Sequence, residues 1–92
     1  MNTLTDEQRE LLRHTLGVRP NVKPRDYGYR NRLQASVGGD TYDELNQLVA
    51  LGLMVTGELA NEGKYQWFHA TEAGCRAIGL NDKQIANAKE KA

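Results

Sequence analysis

The sequence contains a single cysteine, Cys75, so no internal disulfide can staple the fold, and the scarcity agrees with a reducing compartment. Proline is nearly as rare. Pro20 and Pro24 are the only two and fall in one stretch, which leaves the other segments free to form regular structure. No run approaches the roughly 20 apolar residues of a membrane span, and residues 1–6 lack the basic-then-apolar pattern of a leader. A cytoplasmic location and no membrane partner are therefore expected. Nor does one sign of charge prevail: 12 basic and 12 acidic side chains give a net charge of zero, so the whole molecule has no electrostatic bias toward nucleic acid or anionic lipid.

What is present reads as one globular α+β domain. With 39% hydrophobic and 26% charged residues, the chain lies outside the disordered range, and 92 residues suffice for one modest core. Thr5 and Gln8 form a capping box ahead of a helix whose apolar stripe is Leu11, Leu12 and Leu16 and whose stop is Gly17. Residues 18–31 hold both prolines and several turn formers, which favours an irregular connection. Between Tyr29 and Val37 two readings stay open: Leu33, Ala35 and Val37 alternate as a strand would, while a winged helix would place its second helix here. Thr41 and Glu44 offer another capping box for a helix carrying Tyr42, Leu45, Leu48 and Val49 and ended by Gly52. A hairpin is expected next, from Leu53 to Leu59, a turn at residues 60–63, and a return from Lys64 to Ala70. Thr71 then caps a helix that Gly79 ends, and Asn81 with Gln84 caps a last one.

The order over residues 41–79, helix, strand, tight turn, strand and helix, is that of the back half of a winged helix. The expected organisation is a winged-helix-like domain over residues 1–80, with a short C-terminal helix or tail over residues 81–92. The runs Leu51-Gly52-Leu53-Met54 and Phe68-His69-Ala70-Thr71-Glu72-Ala73-Gly74 look like the helix-into-wing and post-wing helix of winged-helix proteins. Together with Leu12-Arg13-His14-Thr15-Leu16-Gly17 and Tyr29-Arg30-Asn31-Arg32, they make the chain similar to small proteins of unassigned function encoded by tailed phages and prophages. The resemblance spans about residues 4–80. It implies a setting, the bacterial host cytoplasm, and no particular activity.

A winged helix usually docks its second helix in the DNA major groove. Here that helix would be residues 41–51, which contain no Lys or Arg and present Asp43 and Glu44 in the first turn. Carboxylates beside phosphates repel, and basic side chains supply most non-specific affinity, so the usual docking mode is disfavoured. The cations lie elsewhere. Arg19, Lys23, Arg25, Arg30 and Arg32 are interleaved with Tyr27 and Tyr29, a composition suited to a nucleic-acid strand or to an acidic protein partner. The plainer alternative is that these arginines are solvated or pair with Asp40, Asp43 and Glu44. If Phe68 and Ala70 point inward, strand alternation puts Tyr65, Trp67 and His69 on the opposite face. That face needs a cover, either Leu80 and Ile85 of the C-terminal segment or a partner, including a second copy.

Chemistry is poorly furnished. Cys75 and His69 could imitate a thiol and its base, but Cys75 sits beside Gly74 among small residues and reads as a packed thiol. One cysteine and two widely spaced histidines do not make a zinc site, and the glycines show no phosphate-loop pattern. The expectation is a non-enzymatic binding protein without metal or cofactor, engaging a protein partner through the basic loop. A small DNA-binding regulator using the same loop and the wing is the alternative.

Overall fold

A computed structural model describes residues 4–91, and its first element, α1 (Asp6–Leu16), begins as the sequence dictates. The Thr5 hydroxyl accepts from the Gln8 N–H at 3.1 Å while the Gln8 side chain accepts from the Thr5 N–H at 3.0 Å. Two of the amide donors that a helix start leaves open are thereby satisfied. Leu12 and Leu16 are fully buried, and Leu11 packs at the edge of the core. The chain then runs through the proline-bearing loop, with one 3-10 turn at Pro24–Asp26, into β1 (Leu33–Ser36). The remaining elements are α2 (Asp40–Ala50), β2 (Met54–Ala60), β3 (Tyr65–Ala70), α3 (Glu72–Ala77) and α4 (Asp82–Lys91). Among the described residues this is a single α+β domain of four α-helices and one three-stranded antiparallel sheet in the order β1-β3-β2.

The open question over residues 29–37 resolves to a strand. β3 is the central strand, and without β1 one of its edges would be bare; Leu33 pairs with Phe68 and Ala35 with Gln66. Ala35 is buried while Gln34 and Ser36 are exposed, so the alternation was a true strand signal. Among the described residues a single helix, α2, lies between β1 and β2.

The capping box expected at Thr41 and Glu44 does not form. The turn out of β1 closes through the Gly39 N–H on the Ser36 carbonyl at 3.1 Å, which makes Gly39 the N-cap and starts α2 at Asp40. Thr41 falls inside the first turn, too late to cap. The hairpin is displaced by one residue from its expected place: β2 ends at Ala60, and Asn61, Glu62 and Gly63 all take positive φ in the turn. Thr71 caps α3 by accepting from the Gly74 N–H at 3.1 Å, and the Asn81–Gln84 box caps α4 with bonds of 2.9 and 2.8 Å.

Phe68 lies at the centre of the core with Leu12, Leu16, Leu45, Leu48 and Met54, all at most 1% exposed. Tyr42 meets its ring edge-on at 5.9 Å. α4 closes the bottom of this core through Ile85 and Ala88. It also packs directly on the loop backbone: a Cβ at Gly28 would stand 2.5 Å from the Gln84 carbonyl oxygen, and Gly28 itself has φ +86°. Only glycine fits there. Asn31 is one of the polar residues buried with this core, at 2% exposure. Its amide nitrogen donates to the carbonyls of Ala70 and Ala88 at 3.0 and 3.2 Å, and its amide oxygen accepts from the Ala70 N–H at 2.7 Å. Loop, β3 and α4 are thereby joined at one point.

Candidate functional site

The basic loop divides into parts with different employment. Arg19 is bound back onto α1, with its guanidinium 2.5 Å from the Glu10 carboxylate and against the His14 ring nitrogen Nδ1. Tyr27 is half-buried and packs against the core. Arg30 donates from Nε and Nη2 to the His14 carbonyl at 3.0 and 2.6 Å, at the helix end where carbonyls lack partners and the dipole favours a cation. Its guanidinium also stands 5.6 Å from the Tyr29 ring centroid. Lys23 and Arg25 are exposed, and neither takes part in an ion pair among the described residues. Of the plainer alternative, pairing of the loop with Asp40, Asp43 and Glu44 does not form among the described residues, while Arg25 is solvated; Arg19 uses Glu10 of α1 because the loop folds back along that helix.

Strand alternation puts Tyr65, Trp67 and His69 on one face of β3, with Phe68 and Ala70 buried on the other. Leu80 and Ile85 are buried in the core cluster, and what lies over Trp67 is Arg32, with its guanidinium carbon 5.2 Å from the ring centroid. This contact brings together the two surfaces that the sequence offered separately. His69 is fixed by the Asn31 main chain: Nδ1 lies 2.7 Å from the Asn31 carbonyl oxygen, which can only accept, so Nδ1 carries the proton in that bond. Val55, paired with His69 in the register, is 48% exposed and extends the face. Behind the rings β2 makes an irregularity between Thr56 and Leu59, where a Cβ at Gly57 would stand 2.6 Å from His69 Nε2. The β2 backbone therefore lies close against the ring, and glycine at 57 permits it.

Two hollows flank Arg32. One, of about 180 Å³, is lined by Tyr29, Arg30, Asn31, Arg32 and Lys91. The other, of about 400 Å³, is lined by Arg32, Gly57, Glu58, Trp67, His69 and Lys91. Arg32 and Lys91 belong to both. Lys91, Gly57, Val55 and Asn31 are members of this surface that sequence reasoning missed. Strand alternation could have found Val55, but Lys91 reaches the site only through the packing of α4, which no local pattern announces.

A larger hollow, about 700 Å³, lies instead between α1 and α2, where Leu11 is surrounded by Glu7, Glu10, Asp40, Asp43 and Glu44. The helix that would enter a DNA groove thus shares its acidic start with two further carboxylates from α1. Groups for nucleophilic chemistry are buried or otherwise engaged. Cys75 is buried, and burial above all, then the Glu72 charge, pushes its thiol above its ordinary value, while His69 spends Nδ1 on Asn31. A thiol so placed is a poor nucleophile. Among the described residues no cluster of three or more His, Cys, Asp or Glu could hold a metal ion, and no helix is long and apolar enough to cross a membrane. Set against models of known families, curated proteins and solved structures, the chain matches none of them.

Proposed function

We propose that this chain is a winged-helix-like, non-enzymatic accessory protein of a phage or prophage, which engages a host or phage protein through the surface formed by Tyr29, Arg30, Arg32, Trp67, His69 and Lys91. The observation that carries this reading is the stacking of Arg32 on Trp67, because it makes one continuous surface of the basic loop and the aromatic sheet face. Arginine, tyrosine and tryptophan are the residues most concentrated at the energetic centres of protein interfaces. The sheet order β1-β3-β2, with α2 leading into the β2-β3 hairpin, supports the winged-helix-like description; the presence of a single helix between β1 and β2, among the described residues, departs from it. The phage setting is supported by the short-motif resemblance alone.

Affinity capture from bacterial lysate tests the reading. A protein retained by the wild type and by Glu44→Gln is expected to be lost, by on the order of tenfold or more, with Arg32→Ala and with Trp67→Ala. Equal recovery on all four baits would mean that the partner sits elsewhere on the molecule.

A further inference from the structure

The two hollows beside Arg32 differ in size and share a cationic ridge, and that combination says what kind of partner segment they fit. The ridge consists of Arg32 and Lys91, with Arg30 bordering the smaller hollow and Glu58, at the rim of the larger, the carboxylate among the described lining residues. Trp67 and His69 line the larger hollow, which at about 400 Å³ has room for an aromatic or large aliphatic side chain. The smaller, at about 180 Å³, has room for a short polar one. In an extended chain successive side chains point to opposite sides at about 3.3 Å per residue, so a carboxylate on the ridge and an apolar side chain in the larger hollow come from positions two apart.

Resting on the reading of this surface as a protein-binding one, we infer that it takes an extended peptide segment of the partner in which an acidic residue stands two positions from a large apolar residue. The carboxylate meets Arg32 and Lys91, and the apolar side chain fills the hollow walled by Trp67 and His69. Charge complementarity selects an acidic occupant. Two observations favour a peptide over a nucleic-acid strand. The Trp67 ring already carries the Arg32 guanidinium, so a base stacking on that face would have to displace it. Among the described residues the two hollows offer Arg30, Arg32 and Lys91, which on a chain of zero net charge are also few for a polyanion.

Trp67 is the sole tryptophan, so its emission reports on this site alone. The probe is a capped Gly-Ser peptide with an Asp-Glu-Phe core, titrated into the full chain at low salt. A saturable change of Trp67 emission is expected. The affinity should fall by about tenfold when the core is Asn-Gln-Phe, by a similar factor when it is Asp-Glu-Ala, and by about tenfold in Lys91→Ala. Arg32→Lys serves as a second variant that keeps the charge but loses the planar fork, and it too should weaken binding. Thermal melts of both variants that coincide with the wild type exclude misfolding as the cause.

Absence of any emission change at millimolar peptide overturns the inference, as does equal affinity for the Asn-Gln-Phe peptide. Tighter binding of a single-stranded oligonucleotide of matched charge would assign the surface to nucleic acid instead, and a change of emission with protein concentration alone would assign it to a second copy. Failure of the peptide with Trp67-dependent capture intact would sink only the partner chemistry; failure of both would sink the surface.

Discussion

Three hydrogen bonds run from the buried Asn31 side chain to the Ala70 N–H, the Ala70 carbonyl and the Ala88 carbonyl, and a fourth reaches the Asn31 carbonyl from His69. The residue therefore sets the positions of its neighbours Arg30 and Arg32 relative to β3 and α4, which is the geometry that the interaction surface needs. Replacing it with Leu keeps the volume but takes from the Ala70 N–H and from two carbonyls the partner that this side chain gives them. Such groups cost about 1–3 kcal/mol each when left unsatisfied, with partial relief from water, so Asn31→Leu should lower the unfolding free energy by about 2–4 kcal/mol in a urea titration. A loss below about 0.5 kcal/mol would show that α4 does not depend on this junction. Nothing in Tyr29-Arg30-Asn31-Arg32 marks the asparagine as buried, because its partners come from segments distant in the chain. The Tyr65, Trp67 and His69 face was legible, since a period of two is local, whereas the stacking of Arg32 on Trp67 depends on the pairing of Gln34 with Trp67 across two strands.

At the scale of the element, the end of α1 is the most heavily loaded. The His14 carbonyl takes both Arg30 bonds, its ring faces Arg19, and Glu10 holds Arg19 from the other side. Burial first, then the charges of Arg19 and Arg30, pull the His14 imidazole below its ordinary value of 6.5, against a smaller opposing effect of Glu10. The unfolded chain thus takes up this proton near 6.5, while the folded chain takes it up only at lower pH. Between those two points the unfolded state holds more protons, so stability is full above 6.5 and declines as the pH falls through that window. Urea midpoints of the wild type should drop more between about pH 7 and about pH 5 than those of His14→Gln. Parallel curves would remove His14 from the account. Which caps could be read in advance follows from the same local physics. The Thr5–Gln8 and Asn81–Gln84 boxes and the Thr71 cap need only residues three apart. Thr41–Glu44 had the same spacing and failed because Gly39, released by the turn after β1, reached the cap position first. β1 itself is a strand because β3 offers an edge, and the sequence of residues 29–37 contains only its alternation, not the edge.

On the whole molecule, zero net charge conceals an uneven distribution. Glu7, Glu10, Asp40, Asp43 and Glu44 border one groove at the starts of α1 and α2, while Arg30, Arg32 and Lys91 collect around Trp67. The acidic start of α2 was legible from its sequence; its enlargement by Glu7 and Glu10 was not, because it requires α1 to lie alongside. This arrangement sets the expectation for nucleic acid. A duplex approaching α2 meets carboxylates, and one approaching the loop meets cations of which Arg19 and Arg30 are already engaged on α1. Wild-type protein should therefore show weak duplex binding even at low salt. Neutralising the groove with Asp40→Asn, Asp43→Asn and Glu44→Gln together should raise that affinity by on the order of tenfold at low salt, and the gain should disappear as salt screens it. Fluorescence anisotropy with a labelled duplex measures both. Tight wild-type binding with a steep salt dependence, reduced in Arg25→Ala and Lys23→Ala, would return the loop and wing to the role of a DNA-binding regulator and displace the peptide-binding reading from first place.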